Sequence, residues 1–236
     1  MSGGPPTGSG PEARTVGPSL SRRTVGRLPV YLRALAALSA EGTTRVSSGA
    51  LAERTGVGPA LVRRDLAALG HLGRPGVGYP VTALRQALSQ VLGLAEDQPV
   101  VLVGAGHLGS ALAGYGGFAE RGLRICAVLD TDPHLVGRTR GSSVVRPMDA
   151  LEDVVAETGA RLAILAVPAA AAQPLADRLV EAGIQGVLNF APVELSVPAG
   201  VSVRAVDLST ELQILAFHQA AITVDPPPAG DPRRAD

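Results

Sequence analysis

Val100-Val101-Leu102-Val103-Gly104-Ala105-Gly106-His107-Leu108-Gly109 decides the reading of this chain. Four consecutive branched apolar residues describe a strand buried on both faces, and they run directly into Gly-x-Gly-x-x-Gly and then a helical pattern. At such a junction Gly104 permits a tight turn, Gly106 lets the backbone approach a pyrophosphate, and Gly109 lets the helix lie close to the strand. Ala105, His107 and Leu108 complete the turn, where a helix start offers N–H donors and partial positive charge to phosphates. About 20 residues past the last glycine the apolar run 123–129 ends at Asp130, where a carboxylate accepts hydrogen bonds from an adenine ribose. A carboxylate there favours NAD(H) over NADP(H), whose 2′-phosphate would meet a like charge. Asp132 reads as a turn residue before Pro133.

Downstream, short apolar runs alternate with helical spacing. Strands are expected at 100–103, 123–129, 162–167, 185–189 and 201–206, and helices at 107–119, 148–157, 169–182 and 208–222. That alternation implies a mostly parallel sheet with helices on both faces. Residues 97–206 are therefore read as a Rossmann dinucleotide-binding domain, and 207–223 as a terminal helix. Leu208, Leu212, Leu215 and Ile222 give that helix an apolar stripe, which suits either the same subunit's core or a second subunit. The single cysteine, Cys126, lies inside an apolar strand, which excludes a disulfide framework and a cysteine metal site.

Upstream, Leu28, Tyr31, Leu32, Leu35 and Leu38 recur at helical spacing until Glu41-Gly42. Ser47-Ser48 offers an N-cap to a short helix, Gly56-Val57-Gly58 turns the chain, and Pro59 opens a third helix that reaches Leu69. Helix, short helix, glycine turn and basic helix make a helix-turn-helix, and the glycine-rich stretch Gly70–Tyr79 suits a hairpin wing with a basic tip. Residues 24–93 are read as a winged-helix domain, and the Gly-, Pro- and Ser-rich segments 1–23 and 224–236 as disordered tails. The expected fold class is α/β, a winged helix-turn-helix followed by a Rossmann domain.

A formal net charge of zero conceals an asymmetry. Residues 14–90 carry 11 Arg against three acidic residues, whereas 91–230 carry eight Arg against 15. Only the first part is therefore suited to a polyanion. Arg63 and Arg64 on the third helix are candidates for base edges or phosphates in the major groove, and Arg74 for the adjacent minor groove or backbone. Ser47, Ser48 and Tyr79 complete the candidate DNA-contact set. Arg27, Arg45 and Arg54 are phosphate or structural positions.

A dehydrogenase reading of the same glycine turn needs a group that exchanges a proton with substrate. The chain contains no Lys, which excludes a Tyr–Lys pair, and none of His71, His107, His134 and His218 stands with an acidic partner. The chain beyond the Rossmann unit is expected to be too short for a substrate domain. No catalytic residue and no metal-ligand set is assigned, and an NAD-dependent oxidoreductase with an accessory helix-turn-helix is the second reading. No run is long and apolar enough to span a bilayer and the start lacks a signal peptide's hydrophobic segment, so a cytoplasmic protein without a membrane partner is expected.

Several blocks resemble the Rex family of redox-sensing transcriptional repressors. They are Arg27-Leu28-Pro29-Val30-Tyr31-Leu32-Arg33, Arg63-Arg64-Asp65-Leu66, Gly76-Val77-Gly78-Tyr79, Tyr115-Gly116-Gly117-Phe118, Asn189-Phe190-Ala191-Pro192-Val193 and Val206-Asp207-Leu208-Ser209. With Gly104–Gly109 the likeness covers residues 24–222, and Glu211–His218 looks like the actinobacterial members. It departs from the family pattern at Leu61, Ala67-Ala68 and Pro75. The resemblance implies a homodimer with a domain-swapped C-terminal helix that binds a palindromic operator when NAD⁺ dominates and leaves it when NADH binds. NADH and NAD⁺ are then effectors, not cosubstrates. It also implies that Tyr115–Phe118, Val167-Pro168 and Asn189–Pro192 lie near the nicotinamide; Tyr115, Asp207 and Arg27 are then expected to exchange partners between the two states, phenol to carboxylate in one and guanidinium to carboxylate in the other.

Overall fold

The computed structural model describes residues 20–70, 73 and 77–222, with 220–222 as backbone, and divides at Glu96/Asp97 into two compact units. The first contains α1 (Arg22–Ala40), β1 (Arg45–Val46), α2 (Ser48–Thr55), α3 (Pro59–Ala67), β2 (Tyr79–Pro80) and α4 (Val81–Val91). Ser21 caps α1 by accepting the Thr24 N–H at 3.1 Å, so ordered structure begins within the stretch that composition marks as a tail. Ser47 caps α2 through the Ala50 N–H, Gly56 ends it in the left-handed conformation, and Pro59 starts α3. Leu28, Tyr31 and Leu35 of α1 bury against Leu51, Val62, Leu66, Leu84 and Leu88, one apolar face from each helix. β1 pairs antiparallel with β2, Val46 opposite Tyr79, which ties the base of the wing to the entry of α2. The expected wing tip, including Arg74, lies outside the described residues.

The second unit contains β3 (Gln98–Val103), α5 (His107–Ala113), β4 (Leu123–Asp130), β5 (Thr139–Arg140), β6 (Ser143–Pro147), α6 (Leu151–Thr158), β7 (Leu162–Leu165), α7 (Ala169–Glu181), β8 (Gly186–Asn189), β9 (Ser202–Ala205) and α8 (Leu208–Ile222). The sheet order is β5-β6-β4-β3-β7-β8-β9, parallel throughout except for β5 against β6. The chain passes from β3 to β4 on one side and later to β7 on the other, so a crevice opens beyond the carboxyl end of β3. Cys126 is the extra residue of a bulge between β3 and β4, and its thiol donates to the Val100 carbonyl at 3.3 Å.

Two expectations are corrected. The helix expected over 107–119 stops at Ala113, because Gly114, Gly116 and Gly117 remove helix-supporting side chains and the chain turns through Tyr115 into a short 3-10 segment at Ala119–Arg121. The strand β6, with its short partner β5, was not expected at all, since Ser143-Val144-Val145-Arg146-Pro147 is brief and ends in proline.

One sheet face is covered by α6 and α7, with Val101, Val103, Leu129 and Leu165 packed against Leu151, Val154, Ala172 and Leu179. The other face carries Val100, Leu102, Val128 and Ile164, packed by Leu112 and Phe118. Part of it stays open as an apolar hollow of about 250 Å³ among Val100, Ile125, Leu162, Ile164 and Leu188, with Arg204 at its edge. α8 contributes no described side chain to either core, and its Leu208, Leu212, Leu215 and Phe217 are 62–69% exposed.

Candidate functional site

The glycine turn divides its labour. Gly104 has φ +98°, a conformation that disfavours a side chain, and its added Cβ would overlap the Ala166 carbonyl. At Gly109 a Cβ would collide with the Gly104 carbonyl, so the first turn of α5 packs onto the strand end only without a side chain. Gly106 differs: its backbone is extended and nothing in the chain lies within 4 Å of a Cβ placed there. No internal contact requires glycine at 106. The space it leaves faces a cleft of about 330 Å³ lined by Val103, Gly104, Gly106, Asp130, Val167 and Pro168, among others.

Asp130 stands at the end of β4 and braces the turn. One carboxylate oxygen accepts the Ala105 N–H at 2.5 Å and the other the Asp132 N–H at 2.8 Å. A carboxylate has about four acceptor positions, so ribose hydroxyls can still be received. Asp132 accepts the His134 N–H, as its turn role requires. The open Gly106, the braced carboxylate and the crevice at the β3 switch point fit an adenine dinucleotide.

The remaining residues expected at the cleft are placed variously. Val167 and Pro168 line it, whereas His107 and Leu108 lie exposed in the first turn of α5. Asn189 is 1% exposed, and its amide is engaged by its own loop, accepting from Ala191 N and donating to the Ala191 and Val193 carbonyls. It therefore shapes Phe190-Ala191-Pro192; its amide is not aimed outward. Tyr115 is half exposed and stands edge-on to Phe118, ring centres 5.1 Å apart. Asp207 caps α8, accepting from the backbone and hydroxyls of Ser209 and Thr210, and those hydrogen bonds hold its carboxyl down to about 2. Residues that sequence reasoning missed, Met148 and Asp149, line a second hollow of about 360 Å³ that shares Asp130, Thr131 and Met148 with the first. Their signal was β6, which places Pro147 opposite Asp130.

In the first unit α3 buries Val62, Asp65 and Leu66 and exposes Arg63 and Arg64 on the opposite side. Arg63 reaches Ser48 Oγ at 3.4 Å, a loose contact that leaves most of its donors free. Two of the expected DNA contacts, Ser47 and Tyr79, also have internal partners, and Arg45 and Arg54 take the structural one of their two expected roles. Ser47 is engaged as the α2 cap, and a Cβ on Gly73 would meet the Tyr79 ring at 2.6 Å, which makes Tyr79 a support for the wing. Arg45 donates to the Val77 and Gly78 carbonyls, and Arg54 forms a two-bond pair with Glu41. Arg27, expected to exchange partners with Asp207, is held by Asp65 at 2.6 and 2.7 Å within its own unit.

A winged helix-turn-helix with exposed arginines on its third helix, followed by a Rossmann unit with a complete glycine turn and a carboxylate at the end of β4, fits a dinucleotide-binding transcriptional regulator. The redox-sensing transcriptional repressor Rex of Streptomyces coelicolor is 49% identical over 213 residues, covering 90% of this chain and 83% of the relative; that of Desulfitobacterium hafniense is 46% identical over 195 residues, covering 83% and 93%. The chain belongs to the Rex family of redox-sensing transcriptional repressors. A family model described as CoA binding domain matches residues 95–193, and one for a DNA-binding protein N-terminus matches 19–67. Among solved structures, the Rex-family repressor RSP with β-NAD⁺ and operator DNA aligns at TM-score 0.80 and 35% identity, covering 86% of this chain and 94% of RSP. RSP with β-NADH aligns at TM-score 0.76 and 34% identity, covering 86% and 96%.

Proposed function

We propose that this chain is a cytoplasmic, homodimeric repressor that holds a palindromic operator while NADH is scarce relative to NAD⁺ and releases it as NADH fills the cleft beside Gly106. The observation that carries this reading is the presence, in one chain, of a recognition helix with exposed Arg63 and Arg64 and a glycine turn whose open position is braced by Asp130. A ligand shifts such an equilibrium only through different affinities for the two arrangements. Since NADH and NAD⁺ differ at the nicotinamide, Tyr115, Phe118, Val167, Pro168 and the loop held by Asn189 are the sensing surface.

Dimerisation is supported by two unpartnered apolar surfaces. α8 exposes Leu208, Leu212, Ile214, Leu215 and Phe217, and the sheet leaves an apolar hollow edged by Arg204. An apolar stripe on a helix is buried in a working protein, and the surface assigned to that of α8 is the second subunit. For the switch, Asp207 exchanges between the Tyr115 phenol and a guanidinium. Arg27 is committed to Asp65, whereas Arg22, Arg23 and Arg33 of the same helix are exposed and have no partner among the described residues; of these we assign that guanidinium to Arg33. The test is operator binding titrated with NADH at fixed NAD⁺ and fixed salt. Release by NADH supports the reading, and an operator complex indifferent to NADH overturns it.

A further inference from the structure

We propose that Asp149 is a specificity-determining residue of the dinucleotide cleft: with Asp130 it restricts the adenosine end to a ribose whose 2′- and 3′-hydroxyls are both free. NADP(H) and coenzyme A are then rejected by one device. The inference rests on reading this cleft as the NAD(H) site, and it extends that reading to a residue beyond the glycine turn and its ribose carboxylate.

Two hollows meet at Asp130. One contains the glycine turn and so receives the pyrophosphate. The other, about 360 Å³, has Pro133, Val136, Pro147 and Met148 as apolar walls suited to a flat base, and Asp130, Thr131 and Asp149 as its polar groups. The ribose joins the two and must pass Asp130. β4 and β6 are paired parallel neighbours with Asp130 opposite Pro147, and Asp149 follows two residues later in the turn that starts α6. Carboxylates therefore follow two adjacent strand ends and share the wall of the base hollow, beside the ribose that enters it.

A phosphate ester on that ribose adds about 1.5–2 negative charges. Sites that accept one supply an arginine near the strand end. Here no arginine lines either hollow among the described residues, and the chain has no lysine. NADPH carries its extra phosphate at the 2′ position and coenzyme A at the 3′ position, so both present it to the same pair of carboxylates. The match of residues 95–193 to a CoA binding domain thus describes the fold, and this chain's acidic adenosine end selects against the phosphorylated ribose of coenzyme A.

The full-length protein is titrated with NADH and NADPH, following reduced-nicotinamide fluorescence, and bound NADH is then competed with dephospho-coenzyme A or coenzyme A. The wild type is expected to bind NADH more tightly than NADPH and to be displaced better by dephospho-coenzyme A. Asp149→Asn, an exposed site whose change leaves packing intact, is expected to lower the NADPH-to-NADH ratio of Kd about tenfold, the effect of one like charge in a partly solvated cleft. The coenzyme A to dephospho-coenzyme A ratio should fall in parallel. NADH binding with both ratios unchanged in Asp149→Asn overturns the inference alone. A wild type that binds no NADH overturns the reading of the cleft and the inference with it.

Discussion

Arg27 and Asp65 join α1 to the recognition helix α3 through two hydrogen bonds of 2.6 and 2.7 Å on a carboxylate that is 1% exposed. Tyr31 and Thr24 donate to the same carboxylate at 2.8 and 3.2 Å, so three α1 side chains fix the rotation of the helix that carries Arg63 and Arg64. Arg27→Ala leaves a buried anion with only its two hydroxyl donors. Breaking such a pair costs about 3–5 kcal/mol when fully buried, and the remaining donors and the partial exposure of Arg27 reduce this to about 2–4 kcal/mol. Chemical denaturation followed by far-UV circular dichroism should show that loss.

The same cluster sets a pH dependence. Burial pushes the Asp65 carboxyl up, but hydrogen bonds from Arg27 and Tyr31 and the Arg27 charge outweigh it and hold the group below its ordinary value of 3.8. A depressed folded value contributes stability that is present above 3.8 and is lost as pH falls through the folded value. Tyr31 moves oppositely: burial first, then the Asp65 carboxylate, push it up to about 12, so its contribution is present below 10 and is lost as pH rises through 12. Asp65→Asn is expected to be less stable than the wild type at neutral pH and to show a flatter acid limb. A wild-type and variant difference independent of pH below 5 would refute the assignment.

Gly109 and Gly106 separate folding from binding. In Gly109→Ala the new methyl overlaps the Gly104 carbonyl, and the Rossmann unit is expected to lose about 1–3 kcal/mol or more. Gly106→Ala meets nothing in the chain and keeps a permitted backbone, so stability should stay within about 1 kcal/mol. NADH affinity should nevertheless fall about tenfold or more, because the methyl occupies the approach of the pyrophosphate. Melting curves and a fluorescence titration on both variants decide the matter.

Local chemistry explains which features were legible beforehand. The strand, glycine turn and helix at 100–109 and the terminal carboxylate Asp130 follow from residue type and spacing, as do the caps at Ser47 and Gly56. Asp149 could not be found that way: only the pairing of β6 with β4, between residues 17 apart in sequence, brings it into the hollow that Asp130 also lines. The partners of Arg27, Arg45 and Tyr79 are likewise set by tertiary packing, and for that reason a basic or aromatic residue in a DNA-binding unit reads the same in sequence whether it faces phosphate or a neighbouring helix.

Arg63 and Arg45 should differ in DNA binding. Arg63→Ala removes exposed donors from α3 and is expected to weaken operator binding by about 1–3 kcal/mol with little change in stability. Arg45→Ala frees the Val77 and Gly78 carbonyls at the wing base, so it should reduce affinity for operator and non-specific DNA alike. Mobility shifts with both DNAs at two salt concentrations distinguish them, since loss of a phosphate contact lowers the salt slope by about 0.9.

Asp207 has two roles that can be separated by choosing the replacement. As the cap of α8 it receives the Ser209 and Thr210 N–H groups; as an anion it is the proposed exchange partner of Tyr115 and Arg33. Asp207→Ala removes both and should cost about 1 kcal/mol of helix stability as well as the NADH response. Asp207→Ser keeps a good capping oxygen but no charge. If charge drives the exchange, Asp207→Ser keeps wild-type dimer stability yet loses the NADH response of operator binding, and Arg33→Ala loses that response as well. If Asp207→Ser restores normal release, capping alone explains the residue and the exchange is wrong.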